Sequence, residues 1–177
     1  MADKFKVLRS NVAGARPTGK ETGEIYLNMA DKVMGFIDAA GAAVDLRPAP
    51  LSTENVISVA SAATGTITLD ALTQSILYYT APATANWTLA IRGNATTTLD
   101  SILAIGQSLT VTFMATIGAT SFFGAGLTID GTAITPKWQS GTAPVVGNTN
   151  CIDAYTYTII KTAASTFTVL ATQTHFR

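Results

Sequence analysis

Polar and apolar positions alternate most cleanly between residues 108 and 117, where Leu109, Val111, Phe113, Ala115 and Ile117 interleave with Ser108, Thr110, Thr112, Met114 and Thr116. A period of two puts each set on its own face of the backbone, so this stretch predicts a strand with one buried side. Shorter runs of β-branched, aromatic and Thr residues, bounded by turn residues, predict further strands at 56–59, 66–69, 75–79, 87–92, 120–123, 127–129, 133–135, 152–161 and 166–174. Asp130-Gly131, set between Leu-Thr-Ile and Thr-Ala-Ile, is the signature of a two-residue type I′ hairpin. Residues 98–105 carry apolar side chains at 99, 102 and 103 with Gly106 as a stop, which predicts one or two turns of helix between strands.

Nearer the start, 24–28, 33–38 and 42–46 read as three strands of a small meander, because Gly35 and Gly41 weaken the alternative of a helix over 29–43. Two prolines, Pro48 and Pro50, then stiffen a linker over 47–54. The pattern divides the chain into an N-terminal docking arm (1–46), that linker, and a β domain (55–177). The expected fold is all-β: an extended arm or short meander followed by a jelly-roll-like antiparallel β-sandwich. An arm of this length without metal or disulfide is too short to bury a core alone, so it is expected to be completed by other subunits.

Charge sharpens this division. Residues 1–50 hold thirteen charged side chains and the other 127 residues hold nine, about 7% where an ordinary soluble domain has about 25%. Either the large domain is covered by copies or neighbours, since interface cores are depleted in charge, or its Thr, Ser, Asn and Gln keep the surface wet. Eleven basic and eleven acidic residues leave no net field for nucleic acid. The uncharged stretch 101–129 alternates like a sheet and is broken by glycines, which argues against a membrane span. Met1-Ala-Asp-Lys-Phe-Lys lacks the apolar stretch of a secretory signal.

Candidate chemistry is sparse. Gly14-Ala-Arg-Pro-Thr-Gly-Lys-Glu matches a phosphate loop except at its last position, where Glu21 replaces the Mg²⁺-binding hydroxyl, and a strand rather than a helix follows. The single cysteine, Cys151, forms no internal disulfide, and its pairing with the single histidine, His175, as nucleophile and base lacks a third, orienting group. Asp70, Asp100, Asp130 and Asp153 are the acids a glycosidase would draw on, with Asp130 already explained by its turn. Trp87, Trp138, Tyr78 and Tyr79 would form either a sugar-stacking platform or core. No residue set points to a cofactor or a metal.

Arg9-Ser-Asn-Val-Ala-Gly-Ala-Arg-Pro-Thr, followed by Gly23-Glu-Ile-Tyr-Leu-Asn-Met-Ala-Asp and by Gly35-Phe-Ile-Asp, resembles the opening segment of tailed-bacteriophage tail fibres and related virion appendages. No long fibre shaft follows it here. The remainder, with Asn86-Trp-Thr-Leu-Ala-Ile-Arg-Gly, Pro136-Lys-Trp-Gln-Ser-Gly and Asp153-Ala-Tyr-Thr-Tyr-Thr-Ile-Ile-Lys-Thr, is similar to a β-sandwich module of cyanophage structural proteins. The resemblance implies a non-enzymatic virion protein, made in the host cytoplasm, that forms a symmetric multimer, a trimer for preference, with capsid, neck or tail proteins as partners. It carries no catalytic residues. Arg16, Glu24, Tyr26, Asn28 and Asp31 are the attachment candidates, unless they satisfy one another within the meander. On the alternative reading, a receptor-binding module, Trp138, Gln139 and Asn148 would contact a host surface glycan.

Overall fold

The computed structural model describes residues 8–16, 21–46 and 54–177, and its chain divides into two units, Met1–Thr53 and Glu54–Arg177. Both are built of strands; the proposed linker falls almost wholly outside the described residues.

The first unit is a four-stranded sheet in the order of the chain: β1 (Leu8–Ser10), β2 (Ile25–Asn28), β3 (Val33–Ile37) and β4 (Ala43–Leu46). The three meander strands fall where alternation placed them, and β1, which the pattern did not reveal, adds to β2 in parallel. Tyr26, Val33 and Ile37 form a small core, with Leu8 and Ala43 against it.

The second unit winds between two sheets. Strands β5 (Val56–Ala62), β7 (Ile76–Ala81) and β9 (Ser108–Ile117) belong to one sheet, and β6 (Gly65–Asp70), β8 (Trp87–Arg92) and β10 (Gly124–Ile129) to the other. Each strand is followed in sequence by one on the opposite sheet, so neighbours within a sheet are two steps apart in the chain and run parallel. This corrects the antiparallel expectation. Short strands with turns do not distinguish a chain that doubles back beside itself from one that crosses to the facing layer each time. Antiparallel pairing appears at the far end, where β13 (Cys151–Ala163) and β14 (Thr166–Phe176) form a long hairpin on β9. Two-residue strands finish that side: β11 (Thr132–Ala133) pairs with β10, and β12 (Lys137–Trp138) with β14.

Alternation decides which side chains face inward. Trp87, Leu89 and Ile91 of β8 meet Val111, Phe113, Ala115 and Ile117 of β9 and Tyr155, Tyr157 and Ile159 of β13 in one core. Trp87 is the bridge between layers, its ring 5.5 Å from that of Phe113 and 5.8 Å from that of Tyr155. The predicted strand at 120–123 is instead an irregular approach, and β10 begins at Gly124. That glycine and Gly126 are places of close packing, since a Cβ would stand 3.2 Å from Trp87 Nε1 in the first case and 3.0 Å from Thr88 Oγ1 in the second. The expected hairpin forms with φ of 49° at Asp130 and 81° at Gly131, as a type I′ turn requires. Helix α1 (Leu99–Ile102) is a single turn capped by Thr98, whose hydroxyl accepts from the Ser101 amide at 3.2 Å.

On the outer face of the larger sheet, Thr110 pairs with Thr158 and Thr112 with Thr156, the hydroxyl oxygens 3.2 Å apart in both cases. Thr172 extends the row opposite Thr156. No helix among the described residues is long and apolar enough to cross a membrane.

Trp87→Ala removes the bridging ring, and an expected loss of about 3–5 kcal/mol follows from emptying so large a buried site. Denaturant unfolding of the full chain checks this, and a loss below about 1 kcal/mol is incompatible with a core shared by both layers.

Candidate functional site

Four of the five attachment candidates converge in the first unit. Arg16 donates through Nη1 to Asp31 Oδ2 at 3.0 Å and through Nη2 to Asp45 Oδ2 at 2.7 Å. The Tyr26 hydroxyl donates to the other oxygen of Asp45. Asn28, only 1% exposed, fixes the loop that carries Arg16: its amide donates to the carbonyls of Val12 at 2.9 Å and Ala15 at 2.8 Å, and its oxygen accepts from the Asp31 amide at 3.0 Å. The two carboxylates raise the Arg16 pKa further above its ordinary value, so the guanidinium is a permanent cation in the cluster. Glu24 is elsewhere, accepting from the Glu21 amide at 3.0 Å.

Asp45 is the member that sequence reasoning missed. Tyr26 lies opposite Gly35, and Gly35 opposite Asp45, so the three occupy one row across β2, β3 and β4. The tyrosine ring crosses the glycine to reach the carboxylate, and a Cβ on Gly35 would stand 2.4 Å from both the ring and the Val44 carbonyl oxygen. The signal was available in the hairpin register: a glycine facing a tyrosine marks where the ring lies down. Of the phosphate-loop match, residues 17–20 lie outside the described residues.

The opposite face of the same sheet is apolar. Ile25, Phe36 and Val44 form one cross-strand row, and Leu27, Met34 and Leu46 the next, with Arg9 beside Leu27. All six apolar residues are half-buried or exposed, Met34 at 47% and Leu46 at 50%, and none joins the unit's core. Among the described residues of this unit no layer covers them.

In the second unit Trp138 and Gln139 line a shallow groove of about 300 Å³ with Thr156, Thr158, Leu170 and Thr172. The indole is held edge-on by Tyr155 at 6.4 Å and Tyr157 at 6.1 Å. Asn148 is not part of that groove. It serves a buried carboxylate, donating through its backbone and side-chain amides to Asp153 at 3.0 and 2.8 Å, while Gln173 donates to Asp153 at 2.9 Å.

The remaining acids are likewise engaged. Asp70 accepts from Arg92 at 2.7 Å, Asp100 pairs with Lys161 at 2.7 Å, and Asp130 accepts from the first helical amides, Leu99 at 2.7 Å and Asp100 at 2.9 Å. The Cys151 thiol donates to the Asn148 carbonyl at 2.9 Å, and burial together with Asp153 pushes its pKa up to about 11. A thiol so held is protonated at neutral pH and is no nucleophile. No group of three His, Cys, Asp or Glu that would hold a metal occurs among the described residues.

No protein-family model matches the chain, and comparison with curated proteins and with solved structures finds no match.

Two measurements follow from this geometry. Gly35→Ala is expected to cost about 1–3 kcal/mol by overpacking and to speed amide exchange in β2–β4 while leaving the second unit's protection unchanged. For Cys151, the raised folded pKa means that the native state holds its proton more tightly than the unfolded one. That stability is complete below the ordinary thiol value of 9.0 and is lost as pH rises toward about 11. Alkylation at neutral pH is expected only after unfolding, and rapid labelling of the native chain would contradict the burial.

Proposed function

We propose that the chain is a structural protein of a bacteriophage particle, a capsid decoration, head or neck fibre or short tail appendage, acting as one of many copies and catalysing no reaction. The observation that carries this reading is the apolar face of Ile25, Leu27, Met34, Phe36, Val44 and Leu46, which no layer covers among the described residues of the first unit. The sequence resemblance of about residues 7–46 to virion attachment segments supports it. The ionic cluster is then the scaffold that holds the sheet in shape, and the docking contacts fall on the face behind it.

Magnitudes explain why such a contact belongs in a symmetric assembly. Full burial of a Leu, Phe or Met side chain gains about 1.5–3 kcal/mol. These six are part-buried at the outset, leaving on the order of 5–8 kcal/mol to be gained. Association itself costs an estimated ~4–15 kcal/mol. One such contact therefore sits near balance, and repetition over linked copies makes attachment firm. The glycan-binding reading has Trp138 in its favour, yet that ring is already engaged by two core tyrosines.

Met34→Lys with Leu46→Lys tests the proposal. The variant is expected to keep its fold by circular dichroism and to lose about tenfold or more of its occupancy in purified particles, the change that 1.4 kcal/mol per contact produces. Undiminished occupancy, or absence of the native chain from particles, would reject it, and glycan capture abolished by Trp138→Ala would favour the alternative.

A further inference from the structure

The winding of the second unit leaves its two ends unequal. At one end the sheets finish in β11 and β12, two residues each, with Lys137 on β12. Short strands and lysine are the usual protections of a sheet margin. At the other end the sheets finish in β5, of seven residues, and β6, of six, and among the described residues neither has a partner on its outer side. The only charge on them is Asp70, already paired with Arg92 at 2.7 Å. Neither strand holds proline or lysine, and Val56 and Ile57 are 54% and 40% exposed. One protective device is present, a bulge between Val59 and Ala62, which leaves Val56–Val59 in regular register with β7, while all six residues of β6 are regular.

We infer that this end is the contact with a second copy of the same chain, β5 pairing with β5 of the partner and β6 with β6 of the partner, both antiparallel. The two-residue connection Ala63-Thr64 joins the two open edges, one on each of the two sheets that share the core. A free peptide strand would satisfy one edge and leave the other bare. Another pair of strands joined by the same turn satisfies both, and this chain supplies that pair. A single two-fold axis normal to both sheets generates the two ladders together, because antiparallel self-pairing needs a dyad perpendicular to its sheet. Counted from the connection, Ser58 and Thr68 are level with each other: Ser58 stands five residues before Ala63 and Thr68 four after Thr64, with the bulge in β5 taking up the extra residue. Asp70 falls at the strand end, away from the dyad, so no like charges meet at its centre. Blunting of β11 and β12 prevents the head-to-tail contact that would otherwise give an open fibre.

The contact stands on the second unit alone and does not depend on the virion reading. It multiplies by two whatever number the first unit sets. Ser58→Lys with Thr68→Lys in the full chain, weighed by sedimentation equilibrium, is the test. The native mass is expected to halve in the double variant and to stay unchanged in Thr132→Lys, which places the same charge on β11 at the protected end. A native chain that is monomeric, or a folded double variant of undiminished mass, overturns the inference. Should the double variant fail to fold, amide exchange of the native chain decides: protection of Val56–Ala62 and Gly65–Asp70 rises with protein concentration if the pairing is real, and concentration-independent exchange rejects it. Loss of this dimer with particle incorporation intact would leave the proposed function standing, and the reverse result would leave the dimer standing.

Discussion

The second unit depends on one constraint: every strand from β6 to β10 must bury one face in the core that the two sheets share. Crossing to the facing layer after each strand meets that need at once, and Trp87 against Phe113 and Tyr155 is where the two layers lock. The cost is paid within each layer. Neighbouring strands run parallel, and among the described residues the first strand of each sheet has no predecessor to pair with. An antiparallel meander would have spread its edges differently; this winding gathers two of them at one end, and that end becomes the most reactive part of the surface in the hydrogen-bonding sense.

Much of this was legible in the residues, and what was missed has a common cause. Period-two alternation located β9, β13 and β14 to within a few residues, and Asp130-Gly131 announced its own turn, because both signals are local. Which strand lies beside which is not local. Leu-Thr-Ile at 127–129 reads the same whether it pairs with the next strand or, as here, with β8 some forty residues earlier as well. The close packing at Gly124 and Gly126 is hidden for a related reason: a glycine that breaks a strand and one that admits a neighbouring side chain differ only in what faces them. In the first unit the attachment candidates Arg16, Tyr26, Asn28 and Asp31 were found together, whereas Glu24 has a local partner and Asp45 emerged only from the register across Gly35.

On the proposed readings, the two units would divide the labour of association in opposite chemical styles. The first offers a side-chain surface, apolar on one face, with a charged and hydrogen-bonded cluster on the other that keeps a very small sheet from collapsing around its own hydrophobes. Its core of Tyr26, Val33 and Ile37 is slight, and polar fixings from Asn28 and Arg16 carry much of the definition. The second unit would offer backbone, two strand edges unpaired among the described residues, with selectivity in spacing and direction more than in residue type. A particle built from such a chain would draw affinity from one and geometry from the other.

The threonine row on the outer sheet shows how a face with few charges stays polar. Thr110, Thr112, Thr156, Thr158 and Thr172 present hydroxyls that neither titrate nor attract counterions. Hydration of that face is therefore indifferent to acidity and to dissolved salt, and the sheet stays wetted in media where a surface of lysine and glutamate would be screened into stickiness.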